Sequence, residues 1–318
     1  MFTLRSFLNA LACLALVLSS TAIIAPAVDV TPVRVVTGNT VVQDIAVRIG
    51  GERIQATCLL QPGIDPHAYQ PVPEDVKRLA SAQLVIINGL GFEGWFEGLA
   101  KEAGYRGVVV RATSGITPLK MADDHDHDHP PAAGDDAASH EALVDDPHAF
   151  NSIVHGVRYA ENIRDALIAA DATGAEGYRS RATAYVAELR KVDAWAKKEI
   201  ATKLPPASRK LITNHDALQY FAKDYGFTIR APNTALEDSQ PSAQDLAALV
   251  TFITREGVKG VFLEVGKNQK VVEQIAQEAG VRIGGELYLD GVGPAGSPAA
   301  TYIGMFQTNV TTIVGGLQ

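Results

Sequence analysis

The feature that most constrains the fold is a helical pattern of unusual length. From Ala175 the apolar residues Tyr178, Ala182, Tyr185, Leu189, Val192 and Ala196 advance by alternating steps of four and three, and Ile200 and Leu204 continue by fours up to Pro205-Pro206. That spacing keeps one stripe on one face of an α-helix, and proline ends the helix because it lacks the N–H that the ladder needs. About eight turns at 1.5 Å per residue span about 45 Å, more than a single lobe of this size requires. Residues 173–204 are therefore expected to form a spine between two lobes.

On either side of this stretch, short apolar runs alternate with helical patterns. Val33-Arg34-Val35-Val36 reads as a strand, followed by a helix capped at Thr40 and running through Val42, Ile45 and Ile49 to Gly50-Gly51. Strands are expected at 54–60, 84–88 and 108–110, and helices at 74–82, 92–103 and 153–170. Beyond the spine come strands at 210–213, 227–229, 261–264 and 282–289, with helices at 217–225, 242–256 and 269–279 and an amphipathic closing helix at 299–316. Strands that are apolar on both faces and separated by helices describe parallel sheets covered on both sides. The expected fold is α/β: two lobes, 28–172 and 205–318, each with a parallel sheet flanked by helices and joined by one long rigid helix.

The first residues read as an export leader over 1–27: one positive charge at Arg5, an apolar run over 8–18, and a small-x-small site at Ala25-Pro26-Ala27. The run is too short for a membrane-spanning helix. Cys13 sits inside it behind a weak lipidation box, so a lipoprotein is not expected. Only Cys58 remains after processing, in an apolar run, so it is read as a buried small hydrophobe with no disulfide partner. The net charge of −8 argues against nucleic acid or anionic lipid as a partner and is compatible with a cation as cargo.

Three histidines stand in polar loops after strands. His67 lies in Gly63-Ile64-Asp65-Pro66-His67-Ala68-Tyr69-Gln70-Pro71, His148 in Asp146-Pro147-His148-Ala149-Phe150, and His215 in Asn214-His215-Asp216-Ala217. Asp290 follows the last strand. Ligand-bearing loops at the carboxyl ends of strands are where open α/β sheets bind their ligands. Facing one cleft, three imidazoles and a carboxylate make a borderline-hard site suited to zinc at about 2.0–2.2 Å. Other readings stand beside this one. His148 and His215 sit where they could serve the ends of helices, Asp290-Gly291 is common tight-turn chemistry, and a water is the alternative fourth ligand. Asp65 and Glu264 read either as partners that orient the imidazoles or as surface and capping groups. His155 is read as a packed or solvent-facing helix residue.

Residues 121–145 break the strand–helix rhythm with Asp123-Asp124-His125-Asp126-His127-Asp128-His129 and Pro130-Pro131. This is expected to be a mobile surface loop. Alternating with aspartates, His125, His127 and His129 offer weak sites for auxiliary metal capture or handover.

Taken together, the two Asp-Pro-His segments, Thr213-Asn214-His215-Asp216-Ala217-Leu218 with Tyr220 and Tyr225-Gly226, Phe262-Leu263-Glu264, and Asp290 ahead of Tyr302 and Asn309 resemble the zinc/manganese solute-binding proteins of bacterial metal ABC transporters. The resemblance runs from about residue 33 to 313. It implies a metal site in the cleft between lobes, limited lobe closure, and His67, His148, His215 and Asp290 at the four ligand positions. Members that favour manganese tend to carry a carboxylate at the third position, so His215, like the His-rich loop, tilts the reading toward zinc. The chain is accordingly expected to be a monomeric, non-enzymatic receptor in the periplasm that captures Zn2+ and delivers it to an ABC transporter permease, with a periplasmic zinc metallochaperone as a further partner. A manganese or iron receptor is the near alternative. A zinc hydrolase is the rival of another class, weakened by the absence of an HExxH-type helix.

Overall fold

The computed structural model describes residues 31–122, 143–232 and 242–318; the expected leader with Cys13 and the loop histidines His125, His127 and His129 lie outside them. In the first half, β1 (Val33–Thr37), α1 (Thr40–Gly50), β2 (Ile54–Cys58), α2 (Pro73–Ser81), β3 (Leu84–Ile87), α3 (Phe96–Glu102) and β4 (Val108–Arg111) follow one another. Their strands form an all-parallel sheet in the order β2-β1-β3-β4. Because side chains alternate along a strand, β1 and β3 feed two cores. Val35, Leu84 and Ile86 join Ile45 of α1 on one face, while Val36, Val85 and Ile87 join Leu79, Phe96 and Leu99 on the other. Cys58 is buried and free, as expected.

Two local expectations are corrected here. The cap of α1 is Asn39, whose Oδ1 accepts from Val42 N at 3.0 Å, while its Nδ2 is anchored on Glu93 Oε1 at 2.9 Å. Thr40 turns its hydroxyl elsewhere and accepts from Val292 N at 2.9 Å. The helix expected from residue 92 starts at Phe96, because Gly89, Leu90 and Gly91 all have positive φ and turn the chain. Glu93 holds that turn by accepting from the amides of Asn88 and Gly89, at 2.9 and 3.3 Å.

Next come β5 (Lys120–Ala122) and β6 (Leu143–Asp145), an antiparallel pair at the two ends of the His-rich stretch. They are followed by α4 (Ile153–Ala170) and then the long helix α5 (Ala175–Lys203). The buried face of α5 is Tyr178, Ala182, Tyr185, Leu189, Val192, Ala196 and Ile200, the stripe read from the sequence. The second half contains β7 (Lys210–Ile212), α6 (Gln219–Tyr225), β8 (Thr228–Arg230), α7 (Ala243–Glu256), β9 (Gly260–Glu264), α8 (Lys270–Ala279), β10 (Arg282–Leu287) and α9 (Tyr302–Leu317). Its strands pair in parallel as β7-β8 and β9-β10, with β7 lying beside β9.

Helix α5 packs on α1 and α4 from the first half and on α9 from the second. Tyr302 adds a polar fastening, donating its amide N–H to Asp44 Oδ2 at 3.0 Å and its hydroxyl to Phe150 O at 2.8 Å. The architecture is thus α/β, with parallel sheets flanked by helices and one long connecting helix. His67 follows β2, His148 follows β6, His215 follows β7 and Asp290 follows β10, so the fold delivers all four residues from the carboxyl ends of strands.

Candidate metal centre

The Asp-Pro-His segment occurs twice and makes the same turn twice. Asp65 Oδ1 accepts from His67 N at 2.9 Å, and Asp146 Oδ1 accepts from His148 N at 2.9 Å. An aspartate that bonds the backbone two residues on fixes a turn locally, which points each imidazole away from its own strand. Trp95 Nε1 then ties down Pro66 O at 3.0 Å, and Tyr69 donates to Asp75 Oδ2 at 2.6 Å. Around His148, Asn88 Nδ2 donates to Pro147 O at 2.9 Å and the Tyr220 hydroxyl to Asp146 O at 2.9 Å.

Residues of the second half are held as firmly. Glu264 Oε1 accepts from His215 N at 2.9 Å, and Thr213 Oγ1 donates to His215 O at 2.8 Å. Ahead of Asp290, the Asn309 amide exchanges two bonds with the Tyr288 backbone, at 2.9 and 2.7 Å. Asn151 Nδ2 joins the loops by donating to both Ala217 O and Leu289 O, at 3.0 and 2.8 Å. Gly291 is required by close approach: a Cβ there would lie 2.6 Å from Thr40 Oγ1.

These supports bring His67, His148, His215 and Asp290 together, with one ligand atom from each within 4.8 Å of all the others. His67 Nε2 and His148 Nε2 are 3.2 Å apart. Asp290 Oδ1 lies 3.8, 3.6 and 3.3 Å from the Nε2 atoms of His67, His148 and His215. A tetrahedral ion with ligands at about 2.0–2.2 Å has edges of about 3.3–3.6 Å, so the spacing fits a small divalent cation. His215 Nε2 and Asp290 Oδ1 are buried and lack hydrogen-bond partners among the described residues. Such atoms are costly to leave unsatisfied, and both point at the common centre. Phe92 closes one wall, meeting the rings of His67 and His148 edge-on at 5.2 and 5.7 Å.

Two imidazoles are oriented by carboxylates on their far nitrogens. His148 Nδ1 faces Asp146 Oδ1 at 2.9 Å, and His215 Nδ1 makes a short contact with Glu264 Oε2. A carboxylate on Nδ1 fixes the tautomer that leaves Nε2 free for a ligand. Burial disfavours charge on His67 and outweighs the pull of Asp290, so its pKa is lowered. On His215 burial acts the same way, but Glu264 and Asp290 together outweigh it and the pKa is raised. Burial would raise Asp290, yet His215 and Lys267 hold its carboxyl well below the usual range.

Of the two carboxylates read either as imidazole partners or as surface and capping groups, Glu264 contacts the His215 ring, while Asp65 bonds the His67 backbone and Lys267. Asp65 Oδ2 is taken by Lys267 Nζ at 2.6 Å, so its remaining oxygen holds only the backbone of His67. Asp146, which the sequence reading passed over, faces the Nδ1 atom of His148 as Glu264 faces that of His215. The repeat of Asp-Pro-His was the available signal. His155 stays outside the cluster, its ring against Tyr220 and its Nε2 3.8 Å from Asp224.

The chain is similar over nearly its whole described length to known metal-binding proteins. The chain is 33% identical over 282 residues to the manganese-binding lipoprotein MntA of Bacillus subtilis, covering 87% of each chain. It is 32% identical over 283 residues to the iron-binding protein YfeA of Yersinia pestis, covering 89% of this chain and 86% of that one. Its fold matches the periplasmic zinc binding protein TroA of Treponema pallidum with a TM-score of 0.79 at 28% identity, over 90% of this chain and 99% of that one. The expectation of an unlipidated chain is contradicted in part: the Bacillus subtilis relative is itself named a lipoprotein. The model of the family described as ZnuA, zinc-uptake complex component A periplasmic, matches residues 35–316; the chain belongs to this family of extracytoplasmic metal-binding receptors of ABC importers, which are not enzymes.

Proposed function

We propose that the cargo is Zn2+, bound by His67, His148, His215 and Asp290 and handed to an ABC transporter permease. The observation that carries this reading is the convergence of three imidazole nitrogens and one carboxylate oxygen, four of their six separations between 3.2 and 3.8 Å and all within 4.8 Å. Nitrogen-rich four-coordinate sites suit zinc, whereas manganese and calcium prefer more oxygen ligands and higher coordination. His67 and His148 come from the segment 28–172, and His215 and Asp290 from 205–318, so the ion itself fastens the two lobes. Binding is capture without chemistry. An imidazole nitrogen must be free of its proton to hold the cation, so binding competes with protonation of the three rings.

A manganese or iron receptor is the second reading, favoured by what MntA and YfeA are named for binding. Metal analysis of protein purified without added metal separates the two. Zinc at about one equivalent, weakened at least tenfold in His215→Glu, is the outcome of the zinc reading, and manganese or iron at one equivalent is that of the second. His125, His127 and His129 alternate with aspartates and suit a capture role before the ion is bound, with a periplasmic zinc metallochaperone as donor. Deleting residues 123–129 is then expected to slow loading at scarce zinc without changing the stoichiometry of the cleft. Unchanged uptake under zinc limitation contradicts that role.

A further inference from the structure

Lys267 is a mostly buried ammonium that the capture reading leaves without a task. It stands in the loop between β9 and α8, nine per cent exposed, with Nζ 2.6 Å from Asp65 Oδ2 and 3.5 Å from Asp290 Oδ2. Asp290 therefore faces two ways. Its Oδ1 looks at the three imidazoles while its Oδ2 looks at the ammonium. Resting on the assignment of His67, His148, His215 and Asp290 as the cation's ligands, we infer that Lys267 is a specificity-determining residue that confines Asp290 to one-oxygen coordination and keeps the site four-coordinate.

The loops leave little room for any other arrangement. Gly266, at φ +87, lies so close to the loop carrying Asp65 that a Cβ there would stand 2.8 Å from Gly63 O, and Gly63 itself has φ +81. With the two loops this close, the Lys267 ammonium meets both carboxylates. Turning Oδ2 of Asp290 onto the ion would take it from the ammonium, leaving a mostly buried positive charge with Asp65 as its sole close partner among the described residues. That cost falls hardest on ions that want more oxygen. Zinc accepts three nitrogens and one oxygen, whereas manganese gains from a second carboxylate oxygen. Lys267 thus selects by what it denies the competitor, a repulsive form of specificity.

The test uses the full chain, stripped of metal, with Co2+ as the spectroscopic probe and Zn2+ and Mn2+ in chelator competition. Wild type is expected to give the intense visible absorption of four-coordinate Co2+. Lys267→Met is expected to give the weak absorption of five- or six-coordinate Co2+ and to raise Mn2+ affinity relative to Zn2+ by about tenfold, the scale of one charge-assisted hydrogen bond. Because the single variant removes the ammonium from Asp65 Oδ2 and leaves that carboxylate only its bond from His67 N, the Asp65→Asn, Lys267→Met double variant is measured beside it, with melting curves to verify folding and the same outcome expected. An intense four-coordinate spectrum and an unchanged Mn2+/Zn2+ ratio in the folded variants overturn the role of Lys267. If instead His148→Ala and His215→Ala leave wild-type Co2+ and Zn2+ binding untouched, it is the ligand assignment that fails, and the proposal falls with it for that separate reason.

Discussion

Glu264 and Asp146 face the Nδ1 atoms of His215 and His148, so in the proposed site they would set which nitrogen each ring offers and affect affinity without touching the ion. Each holds a ring Nδ1 and the same residue's backbone N–H, fixing ring and chain together. Glu264→Gln or Asp146→Asn is therefore expected to weaken zinc binding by about 10- to 100-fold, read by chelator competition, while the stoichiometry stays the same. Affinity within twofold of wild type would mean that the rings are oriented by packing alone, for example by Phe92. At this scale the sequence was legible where chemistry repeats locally. The Asp-Pro-His turns and the three histidines stand in plain view, whereas Lys267 meets Asp65 across 202 positions, and no short-range pattern encodes such a contact.

Helix α5 shows why long periodic elements can be read and their junctions cannot. Its stripe is set by seven buried side chains, and Pro205-Pro206 ends it, both visible as spacing. Its start depends on tertiary contacts: Asp171 takes Arg53 Nε and Nη2 at 2.7 and 2.9 Å, Tyr178 Oη at 2.8 Å, and Gly174 N at 3.3 Å. Hydrogen bonding from Arg53, against the opposing effect of burial, holds the Asp171 carboxyl well below the usual range. A depressed carboxylate stabilises the folded state above its unfolded pKa of about 4 and loses that contribution as pH falls through the folded value. Asp171→Asn should thus melt below wild type at neutral pH, and the gap should close as pH drops below about 4; a gap independent of pH contradicts the ion-pair account. Asn39 shows the same limit, since the choice between two adjacent capping residues was made by Glu93, 54 positions away. Tyr302→Phe strips the bond to Phe150 O beneath the site, and is expected to cost about 1 kcal/mol, or about 2–4 °C in melting temperature.

For the whole molecule, the alternation of buried strands and amphipathic helices was enough to indicate parallel α/β halves around a long helix. The division of the second half into two short parallel pairs was not, because register and pairing depend on side chains that meet only in the folded chain. Since four residues from both halves converge on one centre, cation binding should stabilise the protein as a unit. At free zinc about 100-fold above Kd the gain is about 2.7 kcal/mol, read as a rise in melting temperature that a chelator reverses. A melting curve indifferent to zinc would be incompatible with a site that joins the two halves. The central claim, that three imidazoles and one oxygen of Asp290 hold the cargo, is tested most directly by X-ray absorption at the zinc edge on protein loaded with one equivalent. The account predicts four ligands at about 2.0–2.2 Å, three of them with imidazole scattering; fewer than three imidazoles, or a shell of five or six ligands, would contradict it.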